Sequence, residues 1–128
     1  MLRMQSDLVE LCLAALNGTL PQKTIDFDPR AAIGVVMAAG GYPASYAKGE
    51  VISGLPTEDS ETSKVFHAGT KLDGGETVTS GGRVLCATAL GESVTEAQKR
   101  AYEIVDKISW KDAYFRTDIG YRAIAREK

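Results

Sequence analysis

Two glycine pairs, Gly74-Gly75 and Gly81-Gly82, cut a run of strand-forming sequence into pieces too short to stand as anything but neighbouring strands. The pieces are Lys64 to Leu72, Glu76 to Ser80 and Arg83 to Leu90, and their short connections predict antiparallel hairpins. Directly after them, Ser93-Val94-Thr95-Glu96 spells a capping box, in which a hydroxyl and a carboxylate satisfy the free backbone donors of a helix start. Val94, Ala97, Ala101, Ile104, Val105 and Ile108 then form one apolar stripe, while Lys99, Arg100, Glu103 and Lys107 fall on the opposite side. A helix patterned in this way packs on the sheet, so the fold class is α+β.

Upstream, Ala31 to Ala39 is a run of small and β-branched residues that ends at the turn signal Gly40-Gly41-Tyr42-Pro43, and it reads as a buried strand. A shorter strand is expected at Glu50 to Ser53, and the hydroxyl-rich, acidic Thr57 to Ser63 reads as a solvated loop. Near the start, Leu8, Leu11, Cys12, Ala15 and Leu16 recur at helical spacing behind a Ser6 N-cap, with Asn17-Gly18 as a left-handed stop. No capping signal precedes the helix-compatible residues 1–5, which suits a chain that starts inside a larger structure. Gly18, Pro21, Pro29 and the Asp26-Phe27-Asp28 cluster mark a connection between two units. The tail carries Trp110, Tyr114, Phe115 and Tyr121 around a turn at Asp118-Ile119-Gly120, and is expected to fold back on the domain.

Composition narrows the function classes. The 128 residues are 44% hydrophobic and 25% charged, an ordinary globular balance for one domain. A net charge of -2 with interspersed signs offers no footprint for nucleic acid. The longest apolar runs are far short of the roughly 20 residues a membrane span requires, and the N-terminus lacks the h-region of a secretory signal. A cytoplasmic location is therefore expected, without nucleic acid or membrane as partner. Cys12 and Cys86 sit in apolar runs and read as small buried hydrophobes, and with His67 they are too few to close a zinc site. A Cys86 and His67 pair could supply a nucleophile and a base, but nothing nearby lowers the thiol pKa, and structural roles are the expectation.

Lys71 and Arg83 carry the one candidate constellation. Strand parity puts His67, Gly69 and Lys71 on one face, and Arg83 opens a strand straight after Gly81-Gly82. Glycine amides that can be approached closely, an arginine fork and a lysine point charge together suit an anion. The competing reading leaves both as solvated surface charges.

The motifs Gly40-Gly41-Tyr42-Pro43, Lys48-Gly49, Val65-Phe66-His67-Ala68-Gly69-Thr70-Lys71, Ser80-Gly81-Gly82-Arg83-Val84-Leu85 and Asp118-Ile119-Gly120-Tyr121-Arg122-Ala123 follow one another in an order that resembles the C-terminal domain of the phosphoribosylamine-glycine ligase family. The resemblance begins at Met1-Leu2-Arg3-Met4 and runs nearly the whole length of the chain. It implies an ATP-grasp enzyme of purine biosynthesis, which activates glycine as an acyl phosphate for attack by the amine of phosphoribosylamine. ATP and magnesium would serve the full-length enzyme, held by residues N-terminal to this segment. This chain alone would bind neither and would be inert. The implied fold is similar to the last domain of biotin carboxylase and its relatives, a small antiparallel barrel-like sheet with one packed helix, preceded here by an N-terminal helix. Residues 1–20 would be the helical tail of the preceding ATP-grasp domain, 21–30 a linker and 31–128 the C-terminal ligase domain. The ATP-grasp domain of the same enzyme and phosphoribosylamine would be the partners.

A related formyltransferase holds a substrate phosphate with a lysine and arginines in the matching hairpin, so the resemblance assigns Lys71, Arg83, Gly81 and Gly82 to the ribose phosphate. In this chain Gly82 replaces the second arginine, and the loop between the two cations is longer. Two other classes remain for comparison: a carrier module, for which no Met-Lys pair sits at a turn, and a stand-alone binding or dimerisation module.

Overall fold

A computed structural model describes residues 2–58 and 60–127. Asp59 of the expected solvated loop and the terminal Met1 and Lys128 lie outside the described residues. The elements, in chain order, are α1 (Leu8–Leu16), a single 3-10 turn at Leu20–Gln22, β1 (Ala31–Ala38), β2 (Ser63–His67), β3 (Thr70–Asp73), β4 (Glu76–Thr79), β5 (Arg83–Gly91), α2 (Val94–Val105), β6 (Tyr114–Phe115) and α3 (Tyr121–Ile124).

A four-stranded antiparallel sheet in the order β2-β5-β1-β6 forms the body, and β3 with β4 makes a separate two-stranded hairpin. In the sheet, β5 is the long central strand: Val35 pairs with Ala87 and Val36 with Cys86 on one side, and Val65 pairs with Ala87 and Phe66 with Cys86 on the other. Opposed residues share a face, so Val35, Met37, Val65, Leu85, Ala87 and Ala89 form the covered side, where all six are buried in the core cluster. Helix α2 closes that side with Ala97, Ala101 and Val105, burial of the valine contributing about 1.5–3 kcal/mol.

The capping box forms with one change of partner. The Ser93 hydroxyl accepts from the Glu96 N–H at 3.1 Å, while the Glu96 carboxylate reaches the N–H of Glu92, at 2.8 Å, and not that of Ser93. Arg100, expected in water, instead folds back, donating to the Leu90 carbonyl at 2.9 Å and pairing with Glu96 at 2.6 Å. The tail does return onto the domain. The Tyr102 hydroxyl donates to the Arg116 carbonyl and accepts from the Ile119 N–H, and Glu127 accepts from Val94 and Thr95 at the free N-terminus of α2.

Several expectations change. The Lys64–Leu72 strand breaks at Ala68-Gly69, where both amides donate to the Val84 carbonyl at 3.0 and 3.1 Å. Its first half stays in the sheet and its second half leaves to pair with β4. Gly74-Gly75 is a hairpin turn as expected, but Gly81-Gly82 is not, since β4 and β5 are not hydrogen-bonded to each other. At Gly81 the chain instead passes so close to Gly69 that a Cβ on Gly69 would lie 2.7 Å from the Gly81 Cα. Residues of any other type would push the two segments apart, and this close crossing lets the chain change sheets.

Strand β1 is buried on one face only, with Ala32, Gly34 and Val36 exposed on the other. Glu50–Ser53 makes isolated bridges and no continuous strand: Val51 to Val78 on the hairpin, and Ser53 to Ser109 beyond α2. These bridges tie the hairpin to the body, so the expected barrel-like sheet exists as an open four-stranded sheet, a hairpin and a connecting bridge segment. Asp7, and not Ser6, caps α1, accepting from Val9 at 2.7 Å and Glu10 at 3.2 Å. Ser6 accepts from Asp26 instead, because residues 3–5 run beside 26–28: Gln5 donates to Asp26 and Asp28 to Arg3. Cys12 is exposed, against expectation, and Cys86 is half-buried. No helix among the described residues is long and apolar enough to cross a membrane.

Candidate functional site

The uncovered face of the sheet meets the glycine crossing in a depression of about 510 Å³, within the usual range of ligand sites. Tyr42, Ala68, Gly69, Gly82, Arg83 and Cys86 are among the residues that line it. Each is positioned by a different local cause. Arg83 is the first residue of β5, opposite Ala38 at the point where the β1 register slips, so its side chain emerges at the sheet's end. Gly82 stands directly before it and bonds through its carbonyl to the Ala39 N–H at 2.8 Å, holding the two strand ends together. Gly69 enters from the broken β2-β3 segment.

Arg83 is exposed, and among the described residues its guanidinium makes no hydrogen bond or ion pair. Other arginines differ: Arg30 pairs with Asp28, Arg100 with Glu96 and Arg116 with Asp118, each at 2.6 Å. An unpaired planar fork at the edge of a concavity is available to an anion from outside, where a carboxylate-paired one is not.

The structure separates the other predicted members. Lys71 sits on β3, opposite Val78 in the hairpin, and does not line the depression. Its ammonium is held by Asp73 at 3.0 Å, both side chains well exposed. The parity argument linking it to His67 and Gly69 fails because the strand breaks between them. Gly81 lies at the crossing, but its N–H is already committed to the Gly69 carbonyl at 3.1 Å and the adjacent Ser80 N–H to the same oxygen at 2.7 Å. It is therefore not an amide free for an anion. Of the four residues assigned from sequence, Arg83 and Gly82 line the depression.

His67 and Cys86 do not form a nucleophile and base. His67 pairs with Leu85 in the register while Cys86 pairs with Phe66, so the two side chains leave opposite faces of the sheet. His67 Nδ1 is 3.0 Å from the Thr70 hydroxyl, and burial pushes the Cys86 thiol pKa up, away from the reactive thiolate. Among the described residues no group of three or more His, Cys, Asp or Glu could hold a metal ion.

Sequence reasoning missed Tyr42. Gly40-Gly41-Tyr42-Pro43 reads as a turn, and it is one, with a cis Tyr42-Pro43 bond. Its aromatic residue also walls the depression beside Arg83. No local signal marks it, because its place depends on Gly82, far along the chain.

Comparison with known proteins identifies the family. The family described as phosphoribosylglycinamide synthetase, C domain, matches residues 32–122. A phosphoribosylamine-glycine ligase of Vibrio cholerae is 66% identical over all of the chain and 30% of its own length. The enzyme of the same name from Escherichia coli O157:H7 is 64% identical, again over the whole chain and 30% of its own length. The crystal structure of the Thermotoga maritima phosphoribosylamine-glycine ligase is similar with a TM-score of 0.68 and 35% identity, covering 85% of this chain and 27% of that one. The chain spans about 30% of the length of the curated relatives it matches.

Proposed function

Because the chain belongs to the phosphoribosylglycinamide synthetase C-domain family, we propose that it is the C-terminal domain of a ligase that joins glycine to 5-phosphoribosylamine with hydrolysis of ATP, giving glycinamide ribonucleotide. In this reading the domain lacks the ATP-grasp catalytic residues and contributes to binding the substrate phosphate and to closing the active site. ATP and magnesium, supplied elsewhere in the enzyme, provide phosphoryl activation of the glycine carboxylate. Arg83 holds the phosphate by a charge-assisted fork, with Gly82 beside it on the same wall. Holding the phosphate fixes the far end of the substrate and so limits where its amine can lie, which turns binding into orientation. The observation that carries the reading is the unpaired Arg83 guanidinium on the rim of the depression.

The partner is the preceding ATP-grasp domain of the same enzyme. Residues 1–20 form its helical tail, 21–30 the link, and 31–128 the C-terminal domain. Leu8, Val9, Leu13 and Leu16 of α1 are exposed in this chain, a surface that suits cover by such a neighbour. The chain by itself is inert.

In the full-length ligase, Arg83→Ala should raise the Michaelis constant for phosphoribosylamine by about tenfold to a hundredfold, the usual worth of a hydrogen-bonded charge. The constants for ATP and glycine should move little. If all three constants change equally or not at all, Arg83 is a surface charge and the phosphate assignment fails.

A further inference from the structure

We propose that Tyr42 is a second ligand-binding residue of this site, and that its phenol hydroxyl hydrogen-bonds a hydroxyl of the sugar whose phosphate Arg83 holds. The inference rests on the phosphate-site reading above and adds the recognition of the sugar.

The position of the ring is fixed by its neighbours. Tyr42 follows Gly40 and Gly41, and its N–H donates to the Ala39 carbonyl at 3.1 Å, closing the turn after β1. Its ring lies against the backbone of Gly82: a Cβ built there would stand 2.2 Å from Tyr42 Cδ2 and 2.6 Å from Cε2. The absence of a side chain at Gly82 is thus what seats the tyrosine next to Arg83. On another side, Tyr46 meets the Tyr42 ring edge-on, with centroids 6.0 Å apart at 60°. Tyr46 is itself packed against the core.

A ring held between a glycine backbone and an anchored aromatic loses little freedom when a ligand arrives. Tyr42 keeps 39% of its surface exposed and lines the depression with Arg83. Its hydroxyl has no hydrogen-bond partner among the described residues. The site therefore offers two unsatisfied groups of different kinds beside adjoining residues of one wall: a cationic fork, and a neutral donor and acceptor on a flat apolar ring. A bare inorganic anion uses only the first. A sugar phosphate uses both, with hydroxyls for the phenol and a carbon skeleton for the ring. Any side chain at position 82 would displace the tyrosine ring from its place beside Arg83.

The test uses two probes, ribose 5-phosphate and inorganic phosphate, titrated against the full-length ligase and its variants. Tyr42→Phe keeps the ring and its packing on Gly82, and removes only the hydroxyl. It should weaken ribose 5-phosphate by about threefold to tenfold, the usual effect of one neutral hydrogen bond. Inorganic phosphate should bind as before, and the Michaelis constant for phosphoribosylamine should rise in step with the ribose 5-phosphate constant. An unchanged ribose 5-phosphate constant in Tyr42→Phe, or an equal loss for both probes, overturns the inference. Arg83→Ala is the control on the underlying site: it should weaken both probes, and an unchanged inorganic phosphate constant there sinks the phosphate site and not the sugar contact.

Discussion

The start of β5 and the β3-β4 hairpin each present one cation beside glycines, yet the two regions end in opposite states. Lys71 on the hairpin is paired with Asp73 and stands away from the depression. Arg83 at the start of β5 has no ion-pair partner among the described residues and sits on the rim. The hairpin is a local structure: its register is settled by Gly74-Gly75, and its lysine meets a partner two residues away on the same strand. The start of β5 is a junction of three distant segments, near residues 42, 69 and 82. Local structure tends to satisfy its own charges, whereas a junction can leave a charge pointing into a space that no nearby residue fills. Proximity in sequence to glycine thus does not tell the two cations apart; whether each is already paired does.

The comparison is strained most by Gly69→Ala. Its Cβ would fall 2.7 Å from the Arg83 carbonyl and 2.7 Å from the Gly81 Cα, both backbone, so the crossing must open. A loss of about 1–3 kcal/mol is expected from overpacking, read as a lower midpoint in a denaturant melt, together with a weaker hold on phosphoribosylamine. An unaltered midpoint would show that the junction is loose and that Arg83 is not fixed by it.

Lys71→Ala gives the weaker arm of the comparison. An exposed ion pair contributes about 0–1 kcal/mol, and the lysine does not line the site, so the Michaelis constant for phosphoribosylamine should change by less than about threefold. A rise matching that of Arg83→Ala would restore the paired-cation site expected from sequence.

The smallest effect contrasts Arg83 with a satisfied arginine. Arg30 hydrogen-bonds the Asp28 carboxylate and holds its pKa down, from 3.8 to about 2. A depressed carboxyl pKa stabilises the folded chain above its unfolded value, and that contribution is lost as pH falls from about 4 through about 2. Asp28→Asn should therefore flatten the acid limb of the stability profile in that window and leave the phosphoribosylamine constant unchanged. If the acid limb is the same in both proteins, the Asp28–Arg30 pair does not couple to folding.

Much of the scaffold was legible in the sequence because its signals are local. The capping box at Ser93, the apolar stripe of α2 and the glycine turn at Gly74-Gly75 depend on residues a few positions apart, and each forms where expected. The Ser6 cap failed because Asp7, the next residue, offers a carboxylate in place of a hydroxyl, while Ser6 is engaged by Asp26 from the returning chain. The break at Ala68-Gly69 was hidden for a related reason: it answers to Gly81 and Val84, residues brought together only in the folded chain. Arg83 and Gly82 could be found from sequence by resemblance. Tyr42 could not, since nothing within the Gly40–Pro43 turn says that its ring will rest on a glycine forty residues away.

A crystal structure of the full-length ligase with ribose 5-phosphate or the glycinamide ribonucleotide product bound would show directly where the substrate phosphate sits. The phosphate is expected within hydrogen-bonding distance, roughly 2.7–2.9 Å, of the Arg83 guanidinium, with the sugar against Tyr42 and the Lys71–Asp73 pair undisturbed. A phosphate held by other residues, with Arg83 left in solvent, would contradict it.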